Sequence, residues 1–193
     1  MFTGPPRNPE GPGEQPIRRW AARKAARPPT ARSFPGSTRY IRVMTTISIS
    51  LPIAAPAERV MQVFTELEKA PDRIPGIESV ELLSEGPFGE GTRWRETRIM
   101  FKKQATEEMW VTDFDPPRSY TVEAESHGMR YSTLIELTPT GEGTRATWTF
   151  SGTATSFGAK VMSPIFGVLM KGTMKTCMLG DLEALRDHIE GAG

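Results

Sequence analysis

The chain has 193 residues, a length that favours one domain, and its 37% of hydrophobic residues suffices for one ordinary core. The formal charge of +1 is the sum of two segments of opposite net charge. Residues 1–43 contain eight Arg and one Lys but only two Glu. That segment carries +7, so residues 44–193 carry −6. An acidic body argues against nucleic-acid binding by the domain, because phosphate contacts need clustered Lys and Arg.

Residues 1–43 are rich in Pro, Gly and Arg and show no hydrophobic period, so we expect a disordered basic tail. Such a tail is suited to contact RNA or acidic lipid, or it is simply solvated. A third interpretation is that Met44 is the true translation start, because a patterned domain begins there at once. The domain is therefore expected to span residues 44–193.

The domain begins with residues 45–51, where polar and apolar residues alternate; this predicts a strand that ends at Pro52. Ala55 and Pro56 open a helix to residue 65, and a second short helix is predicted at 67–73. Six further strands are predicted at 77–83, 92–101, 106–114, 120–126, 130–138 and 144–153. The short connections between the later strands indicate antiparallel neighbours.

Residues 156–190 are predicted to form one long helix, because their apolar residues recur at spacings of three and four. Ser156 is the expected N-cap, and Pro164 predicts either a kink or a short first helix that restarts with Ser163 as its cap. Glycines inside the helix suggest close approach of another backbone or of a ligand. Flexible methionines on the same segment fit a cavity wall, although an ordinary core helix has the same pattern.

The inward face of strand 92–101 is ambiguous. We favour the face with Trp94, Glu96 and Arg98 as the inward one, whereas the cost of burying charge favours Glu96 and Arg98 on the outer, solvent-exposed side. If the two charges face inward, they must be paired or used in function. Strand 106–114 is equally ambiguous, with Trp110 on one face and Met109 on the other.

Chemical motifs are few. Cys177 and His188 lie eleven residues apart on the long helix, a rise of about 16 Å, which excludes a catalytic dyad. The single cysteine excludes an internal disulfide and favours a reducing compartment, so we expect a cytoplasmic protein without a transmembrane segment. With two histidines in all, we expect no metal site, and no cofactor motif occurs.

Four short motifs resemble the polyketide cyclase/dehydrase and lipid-transport family of the START-like, birch-pollen-allergen-like (SRPBCC) superfamily. They are A-P-A-E-R-V at 55–60, I-P-G-I at 74–77, F-D-P-P-R at 114–118 and G-T-R-A-T-W at 143–148. The resemblance covers residues 44–190. It implies an α+β helix-grip fold, in which a curved seven-stranded antiparallel sheet wraps around the long C-terminal helix, with two short helices after the first strand. It also implies an apolar cavity between sheet and helix.

The first functional hypothesis is a carrier or sensor of a small hydrophobic molecule, of lipid, aromatic polyketide or isoprenoid type. The alternatives are a polyketide cyclase or dehydratase, with Glu96 or Tyr131 as a weakly supported general acid or base, and a protein-binding module. Oligomeric state is left open. The expected ligand-binding residues are those of the two facing walls: Trp94, Glu96, Arg98, Trp110, Tyr131, Trp148, Ile165, Met170 and Met174.

Overall fold

The computed structural model describes residues 44–100, 103–155 and 157–191, without the side chains of residues 44–45 and 157–170. Seven strands and three α-helices make up the described part. The strands are β1 (Met44–Ile53), β2 (Ile77–Leu82), β3 (Arg93–Met100), β4 (Lys103–Asp115), β5 (Ser119–Ser126), β6 (Met129–Thr140) and β7 (Gly143–Ala154). The helices are α1 (Ala57–Thr65), α2 (Ala70–Arg73) and α3 (Phe157–Gly191), with a 3-10 turn at Leu67–Lys69.

The sheet is antiparallel throughout, in the order β1-β7-β6-β5-β4-β3-β2. Two short helices follow the first strand and the long helix comes last. This is the predicted helix-grip architecture, and the prediction is confirmed. The element order could be predicted because most strands alternate apolar and polar residues, whereas residues 156–190 have a long apolar stripe at helical spacing.

The core lies between the concave face of the sheet, α1 and the C-terminal half of α3. Its helical side is a stripe at spacings of four and three, formed by Met178, Leu182, Leu185 and Ile189, all of them buried. The stripe belongs to the same apolar cluster as Ile49 of β1. Full burial of a side chain of this size contributes about 1.5–3 kcal/mol, so this stripe is a major source of the attachment of helix to sheet.

Strand β1 continues one residue past Pro52, which the sequence analysis took as its end. The strand pairs only with β7 and therefore forms an edge of the sheet. Proline lacks a backbone N–H, but an edge strand has a free side on which no hydrogen bond is lost. Pro52 is exposed, and Ile53 beyond it is buried in the core.

The face of β4 that points inward is the one with Met109, not the one with Trp110. Met109 stands opposite Trp94 of β3, which is 3% exposed, and both therefore share the concave face. A bulge between Val111 and Asp113 then shifts the alternation, so that Phe114 also faces inward, opposite Tyr120. The bulge is the reason that a strict period of two failed on this strand.

Helix α3 is continuous through Pro164, so the predicted restart at Ser163 is wrong. At Gly172 and Gly180 an added Cβ atom meets nothing within 4 Å, so close approach of a backbone does not explain these two glycines. The expected cap Ser156 lies outside the described residues, as do the tail 1–43 and residue 101 of the predicted third strand. No helix in the described part combines the length and apolar character needed to cross a membrane.

Replacing Gly180 by Ala should raise the free energy of unfolding by up to about 1 kcal/mol, because Ala is the better helix former and its methyl group meets open space. Urea denaturation measures the change. Gly143→Ala is the contrasting variant: φ is +141° and the new Cβ would lie 2.2 Å from the Ile53 carbonyl oxygen, so we expect a loss of roughly 1–3 kcal/mol. A Gly180→Ala variant that destabilises would show that this position needs glycine.

Candidate ligand-binding site

One row of side chains crosses the concave face of the sheet from β3 to β7. Trp94 stands opposite Met109, Met109 opposite Ala124, Ala124 opposite Tyr131, and Tyr131 opposite Gly152. Residues that pair directly in an antiparallel sheet share a face, so the row is continuous. The small side chain of Ala124, which is buried, separates the bulky residues of β3 and β4 from Tyr131 of β6.

The wall on the β6 and β7 side is aromatic. The rings of Tyr131 and Phe150 are stacked, with centroids 5.6 Å apart and an interplanar angle of 22°. The Tyr131 ring also leans over Gly152, where an added Cβ would lie 3.5 Å from its Cδ1 atom. Both rings are only half-buried although they face inward. Part of the ring area of this pair is therefore left uncovered.

Two charged residues of β3, Glu96 and Arg98, face inward, and Arg98 joins the sheet to α3. Arg98 donates a hydrogen bond from Nη2 to Oδ2 of Asp181 on α3 at 2.7 Å, and its Nε lies 3.7 Å from Oε1 of Glu96. The side chains of Arg98, Glu96 and Asp181 are 19%, 11% and 13% exposed. The expectation that Glu96 and Arg98 lie on the outer surface is wrong, because the partner that compensates Arg98 comes from the helix.

Burial raises the pKa of both carboxyl groups in this cluster. For Glu96 desolvation outweighs the attraction of Arg98, and the charge of Asp181 adds to the increase in pKa. Desolvation likewise raises the pKa of Asp181 above its ordinary range against the effect of Arg98. The single guanidinium of Arg98 therefore does not compensate fully for the desolvation of the two carboxyl groups, and both ionise less readily than they would in water.

Two further groups adjoin the cluster. Glu107 of β4 stands directly opposite Glu96 on the inner face and is half-buried. Burial is the main cause of the raised pKa of Tyr131, and the charge of Glu107 contributes. The charge of Glu107 thus reaches the Tyr131 hydroxyl, and Glu107 lies two residues before Met109 of the row that ends at the aromatic wall.

Several polar atoms of this face are buried without a hydrogen-bond partner: Nε1 of Trp94, Nε of Arg98 and Nε1 of Trp148. The Trp94 N–H lies close enough to Glu96 to lower the pKa of that carboxyl group, but its geometry does not satisfy a hydrogen bond. A buried donor without an acceptor costs about 1–3 kcal/mol.

The other predicted site residues fall into three groups. Trp148 faces inward but packs edge-on against Phe64, with centroids 5.8 Å apart, in the filled part of the core. Trp110 lies on the outer face under Arg93, whose Cζ is 5.3 Å from the ring centroid, and it is removed from the candidate site. Met174 is half-buried against the core, and the side chains of Ile165 and Met170 lie outside the described ones.

Sequence reasoning missed Asp181 and Glu107. Asp181 interrupts the buried stripe of α3 between Met178 and Leu182, and a carboxylate inside an apolar stripe is a signal that could have been used. No comparable signal marked Glu107, because the inward face of its strand was ambiguous. Two grooves of about 180 and 390 Å³ lie elsewhere on the surface, and neither is lined by a residue of the candidate site.

The family model described as "Polyketide cyclase / dehydrase and lipid transport" matches residues 44–190. The chain belongs to this family. The resemblance seen in the turn motifs is thereby confirmed. A comparison with curated proteins found no match.

Solved structures of several proteins share the fold of this chain. Zhui aromatase/cyclase from Streptomyces sp. R1128 has a TM-score of 0.65 at 19% identity, with 76% of this chain and 94% of that chain covered. Norcoclaurine synthase from Thalictrum flavum, solved with dopamine and hydroxybenzaldehyde, has a TM-score of 0.60 at 18% identity, covering 84% and 99%. The di-domain aromatase/cyclase StfQ from the steffimycin pathway has a TM-score of 0.66 at 13% identity; the match covers 77% of this chain and 51% of StfQ. The chain thus spans about half the length of that two-domain protein.

Glu96→Gln should stabilise the protein at pH 7 and change little near pH 4. Because the folded-state pKa of Glu96 is raised above its ordinary value of 4.5, ionisation of Glu96 costs stability as the pH rises through the folded-state pKa. Glutamine stays neutral at every pH, so the variant does not incur that cost. Denaturant unfolding of both proteins from pH 4 to pH 8 measures the difference.

Glu108→Gln is the matched control, because Glu108 is 43% exposed and pairs with the exposed Arg93 on the outer face. A surface pair of this kind contributes about 0–1 kcal/mol, so we expect a small change with little pH dependence. If Glu96→Gln instead destabilises at pH 7, the attraction between ionised Glu96 and Arg98 outweighs desolvation.

Proposed function

We propose that the protein binds a small hydrophobic molecule on the concave face of its sheet and acts as a carrier or sensor of that molecule. The apolar part of the ligand lies along Trp94, Met109, Tyr131 and Phe150, and its polar end lies at the cluster around Arg98. The observation that carries this proposal is the half-buried aromatic pair on a face that is elsewhere filled core. Family membership is consistent with it, because the family's description names lipid transport.

The two ends of the concave face differ in packing. The row through Tyr120 and Ile135 is closed by the C-terminal half of α3, and both residues are at most 6% exposed. Thr133 lies two residues before Ile135 on β6 and is only half-buried. Tyr131, two residues before Thr133, is half-buried as well. Ligand pockets combine apolar walls with a few placed polar groups, and this end of the face has both.

The charged cluster supplies orientation more than affinity. A buried ion pair gains little net stability, but removal of one partner leaves the other charge uncompensated. Arg98 is held by Asp181 and flanked by Glu96, so its guanidinium has a fixed position. A fixed donor beside an apolar wall favours one orientation of a bound molecule over its reverse.

A probe-binding experiment tests the aromatic wall. We expect the neutral fluorescent probe N-phenyl-1-naphthylamine to bind the wild type, and Tyr131→Ala to weaken its affinity by about three- to tenfold through loss of a stacking surface. Trp110→Ala is the control, because it removes a half-buried aromatic side chain from the outer face and should leave the dissociation constant within about twofold. Equal losses in both variants would contradict the site. If the probe does not bind the wild type, the proposed function is contradicted.

A second candidate function is the chemistry for which the family is named, with Glu96 as a general acid. Burial raises the pKa of Glu96, which is the direction that a general acid needs. Turnover of a poly-ketone by wild type and by Glu96→Gln separates the two functions. If the protein is an enzyme that uses Glu96, Glu96→Gln should lower kcat by about 100-fold or more. If it is a carrier, neither protein should turn over the substrate, and native mass spectrometry should detect a copurified hydrophobic molecule.

A further inference from the structure

We infer that the free edge of β1 pairs with the same edge of a second copy of this chain, so that two sheets join across a twofold axis at Ser48. This inference goes beyond the proposed function and does not depend on a ligand. It follows from the lack of protection at this edge, from the direction of its backbone groups, and from the register that Pro52 leaves open.

The two edges of the sheet differ in length and charge. Edge strands are normally protected against further pairing by short length, bulges or charged side chains. Strand β2 is six residues long and has a bulge between Ile77 and Ser79. Its Glu78 and Glu81 are exposed charged residues. Strand β1 has ten residues without a charged side chain, and its pairing with β7 is continuous, so the edge of β1 is the one open to a further strand.

The backbone groups of every second residue of β1 point away from β7. Pro52 lacks an N–H, and a proline within a sheet has its nitrogen on the free side of an edge strand. The carbonyl oxygen of Ile53 points the other way, because a Cβ atom added to Gly143 of β7 would lie 2.2 Å from it. These directions alternate along an antiparallel strand, so the N–H and C=O groups of Ser48 and Ser50 lie on the free side with Pro52.

The side chains of β1 and β7 agree with this assignment. The hydroxyl oxygens of Ser48 and Thr149, which stand opposite each other, are 3.2 Å apart, and those of Ser50 and Thr147 are 3.0 Å apart. Side chains this close are typical of pairs whose backbone groups point away from each other. Thr46, Ser48 and Ser50 are exposed, and their outward backbone groups have no hydrogen-bond partner in the described part of the chain.

A second β1 strand fits this edge in an antiparallel register centred on Ser48. Ser48 then faces the partner's Ser48, and Thr46 faces the partner's Ser50. The outward groups of these residues meet in three pairs, and each pair of this kind exchanges two backbone hydrogen bonds. The two strands overlap along the whole stretch from Met44 to Pro52. One edge thus supplies every donor and acceptor that its copy needs.

Other symmetric registers use this edge less well. An axis at Ile47 shortens the overlap of the two strands, whereas an axis at Ile49 places Pro52, which has no N–H, opposite the partner's Thr46. Charge also favours this edge for a second copy. Residues 44–193 carry a net charge of −6, so two copies repel each other least where they meet through uncharged hydroxyl side chains.

The pairing produces a closed dimer and not a filament. A twofold contact uses the same edge of both copies, so the joined sheet ends on both sides at the protected strand β2. The inner face of β1 is already covered, because Ile47 and Ile49 are buried within each copy. The contact therefore consists mainly of backbone hydrogen bonds, and we expect a dimer in exchange with the monomer.

A charge placed at the edge tests the contact. Sedimentation velocity on the full chain should show a dimer that forms as the concentration rises through the micromolar range. Ser48→Lys places two like charges opposite each other at the axis and should raise the dimer dissociation constant at least about tenfold. Thr149→Lys is the matched control, because it adds the same charge to the same face and removes the same hydroxyl contact, one strand away from the edge.

The control should keep the dissociation constant within about threefold of the wild-type value, because its charges lie farther from the axis and are screened. Circular dichroism verifies that both variants are folded. A wild type that remains monomeric up to high micromolar concentration, or a Ser48→Lys variant that dimerises as tightly as Thr149→Lys, would overturn the inference.

Cross-linking tests the register independently. Ser48→Cys places two thiols at the axis, on Cα atoms about 5.5 Å apart, where a short bismaleimide should join them. Ser50→Cys carries the same thiol on the same strand, but its two copies are offset by four positions, or about 13 Å along the strand. The wild type, with Cys177 as its single cysteine, gives the background. Cross-linking of Ser48→Cys alone is the expected result, and equal yields from the two variants would contradict the pairing at Ser48.

Discussion

The packing of the C-terminal half of α3 against the concave face of the sheet is the contact on which the remaining structure depends. Leu182 is fully buried, and Leu185 and Ile189 follow it at helical spacing. They close one end of the concave face, together with β1 and α1. Farther along the same face, Tyr131 and Phe150 are only half-buried.

The charged cluster stands at the boundary between these two ends. Asp181 precedes Leu182, so the residue that pairs with Arg98 is positioned by the same helical turn that fills the core. Such a pair adds little to stability because desolvation opposes the attraction between the charges. The pair instead determines position, because it holds the guanidinium of Arg98 on β3 against α3.

Membership of the family determines the framework and leaves the chemistry open. Zhui aromatase/cyclase and norcoclaurine synthase share the fold at 19% and 18% identity, yet their names describe different reactions. A fold of this kind hosts its functions through the side chains of one face. In this chain, Glu107 and Asp181 add two carboxyl groups to the pair formed by Glu96 and Arg98 on the inward face.

The sequence by itself determined the order of elements, the family and the buried face of most strands, because these depend on periods and turn residues within short segments. It also placed Trp94 and Tyr131 on the inward face correctly. The inward position of Glu96 and Arg98, and the outward position of Trp110, were decided by tertiary structure. Asp181 lies 83 residues from Arg98 along the chain, and a local pattern contains no information about such a partner. The bulge in β4 changed which residues face inward, and a single extra residue of this kind leaves the alternation of the sequence ambiguous.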